Sequence, residues 1–186
     1  MKWVTRDYVH LDRVASPWLI KRFVDPEAVF VFVPWLKEEQ RPADAIPLGL
    51  PGAELGPHDA DGTTFEKVVR KYRLDDAAIV RIGNVVRLGV DFVLHGFRPE
   101  PGDVDGQTAV GLVTLAEGLY LVHQTDDAIL SASFGVYDAL YANYRTKDIV
   151  HQRQLAVPGH ADGRGPTSQV TFLREVFNSA SAQSAS

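Results

Sequence analysis

The stretch H-L-D-R-V-A-S-P-W-L-I-K-R-F-V-D-P-E-A-V-F-V-F, residues 10–32, decides the fold of the N-terminal half. Ser16-Pro17 reads as a helix start, with serine as N-cap and proline at the first helical position, where its missing N–H costs nothing. Leu19, Ile20 and Phe23 then supply the apolar face of a short helix from Trp18 to about Val24, and Asp25-Pro26 stops it. Ala28 to Val33 is a continuous β-branched and aromatic run closed by Pro34, which predicts a strand buried on both faces. A polar group (His10, Asp12, Arg13) precedes the helix, and packing alone does not call for it.

Outward from this stretch, Trp3 to Leu11 reads as a strand, which puts Val4, Arg6, Tyr8, His10 and Asp12 on one side. Downstream, Ile46 to Leu50 reads as a short edge strand because it contains Pro47. A Gly/Pro/Asp-rich loop, 51–62, follows. Thr63 and Glu66 form a capping box ahead of a helix with Phe65, Val68, Val69 and Tyr72 as its stripe. Asp75 is expected to cap a helix through Ile79, Ile82 and Val86 to about Leu88. The segment 89–106 reads as irregular. Gln107 to His123 is strongly helical, with Leu112, Leu115, Ala116, Leu119 and Val122 on one side. Thr125-Asp126-Asp127 caps a last long helix bearing Leu130, Phe134, Tyr137, Tyr141 and Tyr144. Beyond Val150 the chain turns polar and glycine-rich, with a short helix at 170–177 and a mobile tail, S-A-S-A-Q-S-A-S. The expected fold is α+β: a small N-terminal mixed sheet with short helices, packed against a mainly helical C-terminal half. Residues 1–150 make one domain and 151–186 a polar, partly mobile C-terminal extension.

A chain of 186 residues, 45% hydrophobic and 10% aromatic, is large enough to bury its own core. Its net charge of −5 gives no general surface for nucleic acid or anionic membrane, so neither is an expected partner. The absence of cysteine excludes disulfides, thiolate zinc sites, iron–sulfur clusters and thiol nucleophiles. A bound metal must therefore take His, carboxylate, Tyr or backbone oxygen ligands, which suits Fe, Mn or Zn. No apolar run reaches the roughly 20 residues of a membrane span, and the N-terminus lacks a signal-peptide core. The expectation is a cytoplasmic chain; a homodimer is left open.

The candidate metal ligands are Glu54, His58, Asp12, His10 and Asp91. Glu54 and His58 lie in E-L-G-P-H-D, four positions apart, in a loop that must curl to bring both inward. His10 and Asp12 project the same way if the first strand extends that far. Asp91 and His95 share a face if that segment is helical. The alternative is a metal-free sensor or regulatory interaction domain that binds a small tetrahedral oxyanion at the Ser16 helix start, with Arg13, Lys21 and Arg22 around it, and a third reading is a structural domain organised by buried ion pairs such as Asp12–Arg22. Fingerprints of P-loop, dinucleotide-binding, G-x-S-x-G and H-E-x-x-H enzymes are absent, and whether the chain turns over a substrate is left open.

D-R-V-A-S-P-W-L-I-K-R-F-V-D-P-E-A at 12–28 resembles the opening of the chromate-resistance family, the C-terminal domain of ChrB-type proteins. F-V-P at 32–34, A-I-P-L-G-L-P-G-A-E-L-G-P-H at 45–58, F-E-K-V-V-R-K-Y-R-L at 65–74, G-L-V-T-L-A-E-G-L at 111–119 and V-Y-D-A-L-Y-A at 136–142 follow in the same order. The resemblance spans about residues 3–145. It implies a part in the response to chromate or oxidative stress, and it raises Asp12, Arg13, Arg22, Glu54 and His58 as functional positions. Full-length relatives carry a further N-terminal region, so DNA binding is not implied for this part. Where relatives often have Cys before Pro-Trp this chain has Ser16, which argues against thiol chemistry.

Overall fold

Trp3, Val4 and Thr5 are fully buried because β1, Lys2–Arg6, is the middle strand of a three-stranded sheet. In this computed structural model, which describes residues 1–159 and 166–184, β1 pairs with β2, Val29–Val33, and with β3, Ile46–Pro47, in the order β2-β1-β3. Both pairings are parallel, with Trp3 opposite Phe30 on one side and Ile46 on the other. The sheet is thus not the mixed one expected, although the α+β class holds. Pro47 sits on an edge, where its missing amide costs no ladder bond. β2 is also an edge strand, so only Val33 is buried and Val29 is 58% exposed. Its apolar run had suggested burial on both faces.

The crossover from β1 to β2 departs from its expected form. The strand ends at Arg6, so His10 and Asp12 are not on it, and helix α1 starts at Asp12 rather than after Ser16. Ser16 is therefore not an N-cap. It lies inside α1 (Asp12–Leu19), fully buried, with its hydroxyl donating to Asp12 Oδ1 at 3.0 Å. Pro17 inside the helix removes the amide that would reach the Arg13 carbonyl. The chain then widens into a π turn, Ile20–Val24, closed by the Asp25 amide on the Ile20 carbonyl at 2.8 Å. This places Trp18 at the centre of the core, stacked on Phe65 (6.4 Å, 9°) and set against Phe23 and Tyr137, each at 5.6 Å.

Helices α2 (Thr64–Tyr72), α3 (Ala77–Leu94), α4 (Val104–Val122) and α5 (Asp126–Gln152) follow, then α6 (Pro166–Ser184). Both halves of the Thr63/Glu66 capping box form. α3 is capped by Asp76 and does not stop at Leu88. Gly89 lies within it and makes room for Leu11, since a Cβ there would stand 3.0 Å from the Leu11 side chain. The extra turn and a half converts the expected irregular segment into a face carrying Asp91, with His95 as C-cap. On α4, Leu112 is buried, but Leu115 and Val122 are 50% and 69% exposed, so its apolar stripe only partly faces the core. The described residues pack as two units, Met1–Tyr137 and Asp138–Ser186, so α5 contributes to both. Within the second, α6 extends well past the expected 170–177; His160 lies outside the described residues. Among the described residues no helix is long and apolar enough to cross a membrane.

Candidate metal centre and its pocket

His58 is carried by a short loop that α2 holds from below. Lys67, only 8% exposed, donates to the Pro57 carbonyl and to Asp59 Oδ2, both at 2.7 Å. Thr64 Oγ1 donates to the Gly56 carbonyl at 2.9 Å, and Asp59 and Gly62 close the loop through a paired bridge. The Lys67 ammonium holds the Asp59 carboxyl below its ordinary range. So fixed, the His58 ring lies 5.5 Å from that of His95 at the end of α3. One ligand atom each from His58, Asp91 and His95 lie within 4.8 Å of one another. Ligands of a common ion lie about 3–4 Å apart, from metal–ligand bonds of about 2.0–2.2 Å, so an ion would draw this group together by about an ångström. His95 is exposed and free to make that adjustment. Its Nδ1 is 2.9 Å from Asp91 Oδ1, while Arg87 faces Asp91 Oδ2 at 3.8 Å. His58 Nδ1 is buried with no hydrogen-bond partner.

His58 is also one wall of a pocket of about 290 Å³ in the first unit. Arg6, His10, Asp12, Arg13 and Thr64 line its polar side, and Trp35, Val90, Val93 and Leu94 its apolar side. His10 is aimed by a strained loop: Tyr8 and Leu11, on either side of it, have φ of 56° and 46°. Conformations of this kind cost on the order of 1–3 kcal/mol each and persist only where the surroundings impose them. Asp126, at the start of α5, imposes this one by accepting from the Tyr8 and Val9 amides at 3.1 and 2.8 Å. Arg13 adds a bond to the Tyr8 carbonyl at 3.0 Å. Burial, then the Arg13 charge, push the His10 pKa below its ordinary value of 6.5. A histidine with a depressed folded pKa resists a proton that the unfolded chain accepts, so stability is full above pH 6.5 and falls as pH drops below it. The wild type is thus expected to lose more stability between pH 7.5 and 5.5 than His10→Gln, measured by urea unfolding at both values. Equal losses would show that His10 is not the titrating group.

The other sequence candidates are dispersed. Asp12 is in the pocket wall, but both its oxygens serve the start of α2: Oδ2 accepts from the Thr64 amide at 2.9 Å, and Oδ1 from the Phe65 amide at 3.0 Å and from Ser16. Burial raises its pKa, and the two amides and the hydroxyl pull it back. Glu54 points outward, 71% exposed, to Lys71 at 2.5 Å. Lys21 and Arg22 lie on the π turn, away from Arg13. Lys21 donates to the Ala28 carbonyl at 2.9 Å, and Arg22 sits 5.7 Å from the Phe134 ring centre. No Asp12–Arg22 pair forms in this arrangement, since Asp12 serves α2. His95 was read only as the partner of Asp91 and not joined to His58, and Arg6 was not singled out as a site residue. The signal for His95 was present in its four-residue spacing from Asp91, which the flanking glycines obscured. Arg6 was read only as one of the residues on the His10 and Asp12 side of the first strand.

The family model for the ChrB C-terminal domain matches residues 3–144, which includes every residue of this pocket. The chain belongs to the ChrB C-terminal domain family. Protein ChrB of Cupriavidus metallidurans is 31% identical over 145 residues, covering 77% of this chain but 40% of that protein. The chain therefore spans about two fifths of this relative's length. No solved structure matches it. In this ChrB C-terminal domain, His58 thus belongs both to the His58–Asp91–His95 group and to a cavity lined by His10, Arg6 and Arg13.

Proposed function

We propose that this ChrB C-terminal domain binds one first-row transition ion through His58, Asp91 and His95, and acts in the cytoplasmic response to chromate or oxidative stress. The convergence of these three side chains from a loop and a helix carries the reading. Two imidazoles with one carboxylate suit Fe(II), Mn(II) or Zn(II) and leave coordination positions for a substrate or water. The partnerless Nδ1 of His58 fits the same role, since buried polar atoms are normally satisfied. Family membership supports the link to chromate, which is the whole relative's context and here a proposal. With a net charge of −5, the domain is proposed to act without direct contact with nucleic acid.

The test is a titration of Fe(II), Mn(II) and Zn(II) into chelator-stripped protein made without a histidine tag. One of them should bind with a stoichiometry near one. Glu54→Ala should leave that affinity unchanged, because an exposed ion pair contributes only about 0–1 kcal/mol even to stability. Binding well below one equivalent for all three ions would end the reading. A metal-free anion site is the second reading. Arg6 and Arg13 in the pocket favour it, in place of the Ser16 helix start and Lys21 expected from sequence.

A further inference from the structure

Arg6 and Arg13 both line one pocket, and two like charges held this close cost energy unless something answers them. The acids nearby do not answer them fully. Asp12 is committed to the start of α2, and Glu38 stands 3.6 Å from Arg6, long for a charged hydrogen bond. Arg13 donates to the uncharged Tyr8 carbonyl. Desolvation and then the Arg6 charge lower the Arg13 pKa, against the pull of Asp12, Asp126 and Asp7, the last two of which are committed to the Tyr8, Val9 and Trp35 amides. Two further polar atoms here lack partners: Arg6 Nε and Thr5 Oγ1, the latter on a residue 1% exposed. Thr5 Oγ1 lies 3.8 Å from where a Cβ on Gly49 would stand, and Gly49, at φ +66°, is part of the pocket wall.

The rest of the lining is largely apolar. Val90, Val93 and Leu94 of α3 line it, and the Trp35 ring, stacked on Arg6 with its centre 3.9 Å from the guanidinium carbon, carries the apolar surface up to the arginine. At about 290 Å³ the cavity has room for roughly ten waters and lies at the low end of the range for small-molecule sites. A bare tetrahedral oxyanion would satisfy the arginines and leave the apolar wall wet. An anion with a compact apolar body would satisfy both walls.

We infer that the pocket binds a small organic monocarboxylate, its carboxylate between Arg6 and Arg13 and its aromatic or branched body against Val90, Val93, Leu94 and Trp35. This goes beyond the metal reading and does not need the ion.

Calorimetric titration of chelator-stripped protein with benzoate, phenylacetate and isovalerate tests it, with benzamide and sulfate alongside. At least one carboxylate should bind saturably, with benzamide and sulfate each weaker by about tenfold or more, as expected when a charged hydrogen bond or apolar burial is forfeited. Arg13→Gln should weaken the carboxylate by about tenfold or more. Because Arg13 also ties the 8–11 loop, Leu94→Glu is the second variant. Leu94 is 64% exposed, so the fold tolerates the change, and the new charge at the apolar wall should repel the anion with melting temperature unaltered. Saturable binding of none of the three carboxylates, sulfate or benzamide binding as tightly, or full affinity in Leu94→Glu would overturn the proposal. Each of these results leaves the metal titration standing, and failure of the metal titration leaves this one standing.

Discussion

Replacing His58 with alanine is expected to weaken metal binding by at least about 100-fold. Loss of a group merely supporting a metal ligand typically costs 10–100-fold, and His58 is proposed as a ligand itself. Its loop is held by Lys67 and Thr64 independently of the imidazole, so the substitution should leave the loop in place. Stability of the stripped protein should change little, since the deleted ring carries a buried nitrogen without a partner, whose burial is itself unfavourable. The decisive quantity is the gap in melting temperature between loaded and stripped protein. At free metal about 100 times Kd, wild type should gain about 2.7 kcal/mol, a rise of roughly 5–10 °C for a chain of this size. In His58→Ala that gap should fall to about 0.4 kcal/mol or less at the same metal concentration. Asp91→Asn should also shrink it, because a neutral amide is a poor ligand for a hard ion. A His58→Ala protein that keeps the full gap would remove His58 from the coordination sphere.

How much of this was legible in the sequence depends on the range of the interaction concerned. The Thr63/Glu66 box, the edge role of Pro47 and the long helices were legible because their causes lie within a few residues. Ser16-Pro17 misled because the local signal for a helix start was overridden by a carboxylate four residues earlier, which Ser16 and two amides from 64–65 all engage. Gly89 misled in the same way: read alone it ends a helix, while in the fold it admits Leu11. The site followed suit. His58 was singled out from its loop, and the two residues the fold brings beside it, Asp91 and His95, were seen as a pair but not joined to it, because that junction depends on how far α3 continues. Glu54 had the right spacing and the wrong direction; Lys71, near the end of α2, holds it at the surface. Arg6 becomes a pocket residue only through the end of β1 and the fold of the 7–11 loop, neither of which leaves a local mark.

Asp12→Ala is expected to destabilise the stripped protein by about 3–5 kcal/mol, more than the roughly 0.5–2 kcal/mol of an ordinary cap. The carboxylate accepts from the first two amides of α2 and from Ser16, all in the interior, while Thr63 accepts from the third amide. Alanine would leave two buried amides without acceptors, at about 1–3 kcal/mol each, and remove a negative charge from a helix N-terminus. Ser16→Ala removes only the hydroxyl and leaves both amides satisfied, so it should cost about 1 kcal/mol. Urea unfolding with chelator present separates the structural role from a ligand role. A ligand serving only the ion would leave stripped stability nearly unchanged, and a loss below about 1 kcal/mol in Asp12→Ala would therefore overturn the capping role. Metal affinity alone is not diagnostic for this residue. Thr64 and Lys67, which hold the His58 loop, both stand on the first turn of α2, so loosening that turn displaces the proposed ligand His58 without any direct part for Asp12 in the ion.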